Sequence, residues 1–440
     1  MTATELEEIS QQTLADSKPG DIVRALRDME PEDVWPCLAH LPSEKAALAL
    51  HRLDEDFRGR VLAAEHDPVF LKYLLELLDT DEAADLIAQL PASDADALLD
   101  SLTRADEVEQ LLTYAPDSAG GIMDTHLLVA KLDDSVAGAT AYLRRHAADI
   151  DQNHDLWVVD EGGRLAGFVS LPQLLISPET ALLSELAERD VSSVSPDTDQ
   201  EQAAHMVERY DLSQLAVVDD IGQLLGQITS EDAISVLKRE SSEDLQRMSG
   251  LSAEVGRRDS TLRMVYSRLP WLAVGMIGSV LGAAVIMRFE AALEQAAILA
   301  AFIPLIAATA GSAGIQSSTV TVQGLATGEL GGSLISRLLR EFRVAVLNGL
   351  SISALLGVFM LGAHLLLPDR LESAALLFVT LGLSLLGVLA IATLIGATMP
   401  LLLDQMKIDP AVATGPFITV SADVIGILFY FVVADLIYLR

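Results

Sequence analysis

Apolar positions recur at helical spacing in short bursts from about Asp21 to Tyr114, in DIVRALRDM, EKAALALHRL, FLKYLLELL, DEAADLIAQL and DADALLDSL. Pro31, Pro42 and Pro91 punctuate them. In HLPSEK and QLPASDAD the proline is followed closely by Ser and acids, the signature of a helix start. The pattern predicts a solenoid-like stack of short helices over 21–119, behind a polar stretch at 1–20. After APDSAGGIMDTH the pattern changes. AYLRRHAADIDQNHDLWVVDEGGRLAGFVSLPQLL and HMVERYDLSQLAVVDDIGQLLGQITSEDAISVL resemble each other, an internal repeat. Each copy reads as an amphipathic helix, a β-branched strand (LWVVD, LAVVD), a Gly-containing turn, a second strand (AGFVSL, LGQITS) and another helix. From Leu269 onward five apolar stretches follow, near 269–287, 293–317, 344–367, 373–402 and 411–438. Each has the roughly 20 residues that a helix needs to cross a bilayer. Between repeat and spans, 241–268 leads with acids (ESSEDL) and trails with arginines (GRRDSTLRMVYSR). That charge order suits a helix macrodipole, interrupted by Gly250 and Gly256, and predicts a connecting helix.

Charge sharpens this division. Of 63 acids and 29 bases, only 10 and 7 lie in 269–440, so residues 1–268 carry a formal charge of −31. So negative a surface excludes nucleic acid as a partner and concentrates cations, although a well-solvated surface alone also accounts for it. A lone Cys37 excludes a disulfide framework, fits a reducing compartment and receives no role. The N-terminus has neither a basic n-region nor an apolar h-region, so no cleavable signal peptide is expected. Arg257, Arg258, Arg263 and Arg268 precede the first span, Arg337, Arg340 and Arg343 lie between the second and third, and Lys407 lies between the last two. The positive-inside rule then sets the N-terminal half in the cytosol and, after five crossings, the C-terminus outside.

The second and fifth spans carry the polar groups. PLIAATAGSAGIQSSTVTVQGLATG crowds glycines, serines and threonines around Gln316, which allows either tight helix packing or a water-lined path. DPAVATGPFITVSADVIGILFYFVVADLIYL holds Asp423 near its midpoint, where an ionisable group costs about 2.5–3.5 kcal/mol. Thr419 lies one turn earlier, Gly415 and Gly426 fall close to the same face, and Gly415–Pro416 predicts a break that exposes carbonyls. Asp435 sits nearer the outer end, in interfacial water. One carboxylate with hydroxyls and carbonyls suits a hard cation, and Mg²⁺, which gives up its water reluctantly, fits a wide site gripping a hydrated ion. No P-loop, nucleophile motif or metal-hydrolase spacing points to an enzyme.

The repeat, over roughly Met123 to Lys238, resembles a tandem pair of CBS modules. Such pairs often bind adenosine nucleotides, which makes ATP a candidate modulator. Thr229, Glu231 and Asp232 occupy the positions of the family's ribose contacts, or else simply cap the final helix.

The whole order resembles the MgtE family of magnesium transporters. YAPDSAGGIMDTH is similar to the family's entry to the CBS pair, FIPLIAATAGSAGIQSSTVTVQGLATGEL to its second span, and DPAVATGPFITVSADVIGILFYF to its fifth. The resemblance implies a multidomain membrane protein: helical N domain at 21–119, α/β CBS pair at 120–240, connecting (plug) helix at 241–268, and a five-helix pore domain at 269–440. It implies a homodimer in the bacterial inner membrane that conducts Mg²⁺ passively and closes when cytosolic Mg²⁺ is high. Asp423 becomes the pore carboxylate, with Thr419 and Gly415 beside it. Asp199, Glu201, Asp211, Asp232, Glu240, Glu243 and Asp244 match acids of the family's regulatory Mg²⁺ sites. Ser312 stands at a position the family usually fills with Asn, Gly415 where some members have Asn, and Ser235 where some carry an acid. Transport of another divalent ion such as Mn²⁺ or Co²⁺, or a membrane-anchored nucleotide sensor, are the competing expectations.

Overall fold

The computed structural model describes residues 17–64, 67–146, 155–251, 261–328, 330–366 and 374–439. The chain divides into two compact units, Met1–Glu240 and Ser241–Arg440.

The first unit begins with short helices: α1 (Pro19–Leu26), α2 (Pro31–Leu38), α3 (Ser43–His51), α4 (Glu55–Ala63), α5 (Pro68–Leu75), α6 (Thr80–Ala88), α7 (Ala92–Leu99) and α8 (Ala105–Leu111). Proline opens several of them, because its fixed φ suits the first turn and its missing N–H costs nothing there. Pro31 is the first residue of α2, while Pro42 and Pro91 are the N-caps of α3 and α7. Each helix is too short to stand alone and is held by burying one apolar face, such as Ile22 and Leu26 of α1 or Leu71, Leu74 and Leu75 of α5. Cys37 is buried in this core.

The internal repeat folds as two equivalent three-stranded sheets. β1 (Val129–Lys131) pairs parallel with β2 (Asp155–Val159), and β2 antiparallel with β3 (Leu165–Ser170). β4 (Ser193–Val194), β5 (Gln214–Val218) and β6 (Leu224–Thr229) repeat the arrangement. Even the register shift recurs, at Val158/Val159 and at Val217/Val218. The copies are joined at their turns, where Leu165 N–H donates to Gly222 O at 2.9 Å and Leu224 N–H to Gly163 O at 3.3 Å. Helices α9 (Val136–Arg145), α10 (Leu171–Ile176) and α11 (Leu183–Leu186) belong to the first copy and its exit, and α12 (Gln200–Tyr210) to the second.

The two copies are not buried alike. The first has its own core around Leu128, Leu143, Leu156 and Val169. The second merges with the helical region, since Val207, Leu215, Ile228 and Val236 share one apolar cluster with Ile22, Leu50 and Leu86. The helical region and second copy therefore fold around one core.

The last helix of the repeat, α13 (Ser230–Met248), continues into the connecting segment and stops at Gly250, whose φ of +82° ends it. Residues 252–260, including Gly256, Arg257 and Arg258, lie outside the described residues, and Thr261 already opens the next helix.

Among the described residues of the second unit, five helices are long and apolar enough to cross a membrane: α14 (Thr261–Arg288), α16 (Ile303–Ala326), α17 (Leu334–Leu366), α18 (Ala374–Gln405) and α19 (Pro416–Ile437). A short α15 (Glu290–Gln295) and a 3₁₀ turn (Ala297–Phe302) precede α16. The boundaries depart from hydropathy in both directions. The second span runs on to Ala326, beyond 317, and its polar side chains are satisfied within the helix, as where Thr321 Oγ1 donates to Ser317 O at 3.0 Å. The third begins at Leu334, ten residues before its apolar run, and carries its arginines on the helix itself. The fifth begins at Pro416, since Pro410–Ala413 form a separate 3₁₀ turn.

Close packing in this unit depends on absent side chains. A Cβ on Gly396 of α18 would lie 2.3 Å from the Gly314 carbonyl oxygen of α16. One on Gly278 of α14 would lie 2.1 Å from Val420 of α19. Backbones thus approach as the small residues of membrane helices allow.

Candidate ion pathway and acidic regulatory region

Asp423 projects from the middle of α19, half-buried, and makes no hydrogen bond or ion pair with the described residues. Gly311 of α16 faces it: a Cβ there would stand 3.6 Å from Asp423 Oδ1 and 3.2 Å from Thr419 Cγ2. The second and fifth spans therefore meet with the carboxylate and Thr419 against a bare stretch of backbone. Thr419 Oγ1 donates to Gly415 O at 3.4 Å, and Thr419 and Asp423, one turn apart on α19, both face Gly311. Nearby, the hydroxyls of Ser318 and Thr414 join the same two segments at 3.0 Å. Ser312 is exposed and donates to Ala308 O at 2.8 Å.

The break at Gly415–Pro416 is occupied on its other side. A Cβ on Gly415 would lie 2.9 Å from Met248 O, and one on Gly250 3.0 Å from Pro416. The end of α13 thus packs on the residue that starts the fifth span. Arg247 strengthens the contact, donating through Nη1 to Asp409 and through Nη2 to Glu243. Asp409 also accepts from Ala411 N–H at 2.7 Å, capping the 3₁₀ turn before the break. The sequence reading overlooked Arg247 and Asp409, because a contact 162 residues apart leaves no local signal.

In the first unit the candidate acids fall into separate groups. Asp199 is the N-cap of α12, accepting from Glu201 N–H at 2.9 Å and Gln202 N–H at 3.3 Å. Gln200, between Asp199 and Glu201, donates to Glu240 Oε1 at 2.6 Å, which brings α12 and α13 together. Glu201 lies 3.7 Å from His205. Asp211 terminates α12 in the left-handed conformation, at φ 51°. Thr229 and Asp232 satisfy each other: Asp232 Oδ2 accepts from the Thr229 hydroxyl at 2.6 Å and its N–H at 3.1 Å, and Asp232 N–H donates back to Thr229 Oγ1 at 3.3 Å. That is a reciprocal cap on α13. Glu231 is in the first turn of that helix, where the macrodipole favours an acid.

Asp232 also belongs to a crowd that sequence reasoning missed. Asp79, Asp81 and Glu82 open α6, and Asp124 faces them from the entry to the repeat. The Thr80 hydroxyl donates to Asp124 Oδ1 at 3.1 Å, while Asp124 and Gln227 of β6 exchange backbone hydrogen bonds at 2.8 and 2.9 Å. Burial, then the negative charges of Asp232, Glu82, Asp124 and Asp79, hold the Asp81 carboxyl well above the usual range. Asp81 Oδ1 is buried without a hydrogen-bond partner. Burial first, then Asp79 and Asp232, push Glu82 up to about 8, and burial pushes Asp124 up to about 6. Burial and the nearby Arg58 charge keep His51, 3.5 Å from Glu82, neutral, with a pKa lowered to about 3. Among the described residues no three His, Cys, Asp or Glu side chains converge as a ready-made metal cage. In sequence these acids read as ordinary helix-start residues, and only the shared core of helical region and repeat brings them together.

Comparison with known proteins matches three family models: the MgtE intracellular N domain over residues 17–117, the CBS domain over 183–239, and MgtE, divalent cation transporter, over 303–433. The magnesium transporter MgtE of Thermus thermophilus is 32% identical over 438 residues, covering 97% of this chain and 94% of the relative. That of Bacillus subtilis is 29% identical, covering 94% and 85%. Among solved structures, the cytosolic domain of the Mg²⁺ channel MgtE in complex with ATP aligns at 32% identity with a TM-score of 0.48, over 51% of this chain and 93% of that one.

Proposed function

This chain belongs to the MgtE family of magnesium transporters, and on that premise we propose that it forms a passive, Mg²⁺-selective pathway past Asp423 that closes as cytosolic Mg²⁺ rises. It is a multi-pass membrane protein with an intracellular N domain, a transporter rather than an enzyme. The observation that carries the conduction reading is Asp423 itself. A carboxylate half-buried in mid-span without a protein partner costs about 2.5–3.5 kcal/mol unless water or a cation answers it. Gly311 leaves room beside it, and Thr419 places a hydroxyl oxygen one turn earlier, its proton directed to the Gly415 carbonyl, which would have to give up that bond to take part. Such a set suits a hydrated Mg²⁺ held through its waters. In this reading the chain works as a homodimer in the bacterial inner membrane, with its C-terminus outside.

The regulatory half of the proposal rests on Asp81 and its neighbours. Burial, and then the charges around them, hold Asp81, Glu82, Asp124 and Asp232 above the usual carboxylate range, with Asp79 adding its charge and Asp81 keeping an orphaned buried oxygen; a divalent cation would offset the charge of such a region. Mg²⁺ between Asp79, Asp81 and Glu82 on one side and Asp124 and Asp232 on the other would favour the compact arrangement over one in which they separate. Asp199, Glu201 and Glu240, and separately Glu243 with Asp244, would extend the same response along α13. Asp211 belongs to this proposal by charge alone. Modulation by ATP is proposed for the CBS pair, and isothermal titration of the whole protein, with Thr229→Ala as control, tests it.

The deciding measurement is divalent-ion flux into proteoliposomes, with Mg²⁺ varied on the cytosolic side and Mn²⁺ and Co²⁺ as competitors. Mg²⁺ uptake that survives Asp423→Ala unchanged removes the pore assignment. Faster uptake of Mn²⁺ or Co²⁺ removes the selectivity.

A further inference from the structure

A cavity of ≈ 340 Å³ lies where α16 ends, between that helix, the start of α17 and the end of α18. With the N domain intracellular, the second span ends, the third begins and the fourth ends on the cytosolic side, so this cavity sits at the level of the inner-leaflet headgroups. It is separate from the residues around Asp423, which occupy a different face of α16. Its size reaches the range of roughly 300–1,000 Å³ that holds small ligands.

The lining is built for a ligand carrying both charges. Arg337, Arg340 and Glu341 enter from α17, and Thr321, Gln323 and Thr327 from the end of α16 and the turn after it. Arg337 is committed to the wall: its guanidinium donates to the carbonyls of Leu330, Gly331 and Gly332, and the Leu330 side chain lies over Gly324. Arg340 makes no hydrogen bond or ion pair with the described residues. Glu341 accepts from the Ser317 hydroxyl of α16 at 3.0 Å, which leaves its other oxygen available. Adjacent helix residues point about 100° apart, so Arg340 and Glu341 present opposite charges to different parts of the cavity rather than to each other. Leu338 and Leu401 supply apolar wall.

We propose that this cavity binds the headgroup of an inner-leaflet aminophospholipid, its phosphodiester on Arg340 and its primary ammonium on Glu341. The charge pattern selects this occupant. A purely anionic headgroup would meet the Glu341 carboxylate unpaired, and a quaternary ammonium lacks the N–H groups that a carboxylate accepts from. The acyl chains would leave along the exposed side of Val320, in keeping with a site open to lipid. Through Glu341 and Ser317 the bound headgroup would steady α16, the helix whose Gly311 faces Asp423.

The test uses the full-length protein, delipidated in detergent and titrated by native mass spectrometry with dioleoyl phosphatidylethanolamine, phosphatidylglycerol or phosphatidylcholine. Water-soluble phosphoethanolamine serves as competitor. The expected result is one retained phosphatidylethanolamine per chain, bound more tightly than the other two lipids. Arg340→Gln should weaken phosphatidylethanolamine and phosphatidylglycerol alike, and Glu341→Gln phosphatidylethanolamine alone, each by about tenfold, the scale of one charge-assisted hydrogen bond. If either variant fails to fold, Val320→Trp, placed at an exposed edge of the cavity, should block retention instead. The proposal is overturned if the three lipids are retained equally, if Glu341→Gln leaves phosphatidylethanolamine unchanged, or if a second copy of the chain rather than lipid protects the cavity. Competition by phosphoethanolamine as strong as by the lipid also overturns it, because the ligand would then come from solution. Lipid binding is read without ion flux, so failure here leaves the Mg²⁺ pathway untouched.

Discussion

Asp423 stands alone among apolar and small residues, whereas Asp81 is held well above its ordinary value by burial first and then by four other acids around it. Both are poorly solvated carboxylates, yet the two settings do different things to a cation. A single charge beside a bare glycine backbone attracts a hydrated ion without the ligand count to trap it, as conduction requires. A crowd of acids pays electrostatic repulsion while empty, so its state depends on how much cation is present. Permeation needs weak binding and sensing needs cumulative binding, and the proposed function gives each to a region of different carboxylate density.

The strongest way to break this contrast is to remove the lone charge. Asp423→Ala should lower Mg²⁺ flux in proteoliposomes by about a hundredfold, the effect of losing roughly 2.7 kcal/mol of cation stabilisation in mid-membrane. The same variant should leave unchanged the Mg²⁺-dependent protection of the soluble half from trypsin. If protection is lost along with flux, the two carboxylate regions are not separate devices. Next in size is Asp81→Asn. It relieves repulsion, so in chelator it should stabilise the soluble half by about 1–3 kcal/mol, the scale of an unsatisfied buried polar group. It should also reduce the further stabilisation that Mg²⁺ gives. Thermal unfolding followed by tryptophan fluorescence reads both, since Trp35 and Trp157 are buried in that half.

Proton binding sharpens the contrast further. Glu82 rises from 4.5 to about 8 and Asp124 from 3.8 to about 6 on folding. Between each pair of values the folded state binds more protons than the unfolded chain, so in chelator stability falls as pH rises from about 4 to 8. Mg²⁺ competes with those protons and should restore stability at pH 8 while changing little at pH 5. A melting temperature in chelator that climbs over that interval would contradict the crowded-acid account.

The fold was largely legible because its signals are local. Helix periodicity, proline starts and the repeat marked the helical region and the CBS pair, and apolar length marked five spans. The span ends were read less well, since hydropathy stops at Ser317 while the helix goes on, its hydroxyls bonded to its own carbonyls. Asp423 could be singled out because a charge in an apolar run is conspicuous in one dimension. Asp79, Asp81, Glu82 and Asp124 could not, because their significance comes from a core shared by segments more than 100 residues apart, and acids at helix starts are commonplace.

The smallest expected effect concerns a third group of charges, in the second unit. Arg247 joins Glu243 and Asp409, two carboxylates that a divalent ion could otherwise bridge, and does so beside the Gly415–Pro416 break. A guanidinium there acts as a tethered cation, present at any Mg²⁺ concentration. Because the side chains are 28–38% exposed, water screens the pair, and its worth falls in the range of about 0.2–1 kcal/mol. Arg247→Gln should therefore raise flux at low Mg²⁺ by no more than about fivefold, and make closure by cytosolic Mg²⁺ steeper because the freed carboxylates become available to the ion. Arg247→Lys, which keeps the charge, should show the first effect weakly and the second hardly at all. Flux in Arg247→Gln that matches wild type at every Mg²⁺ concentration would mean that the arginine only caps its neighbours and takes no part in closure.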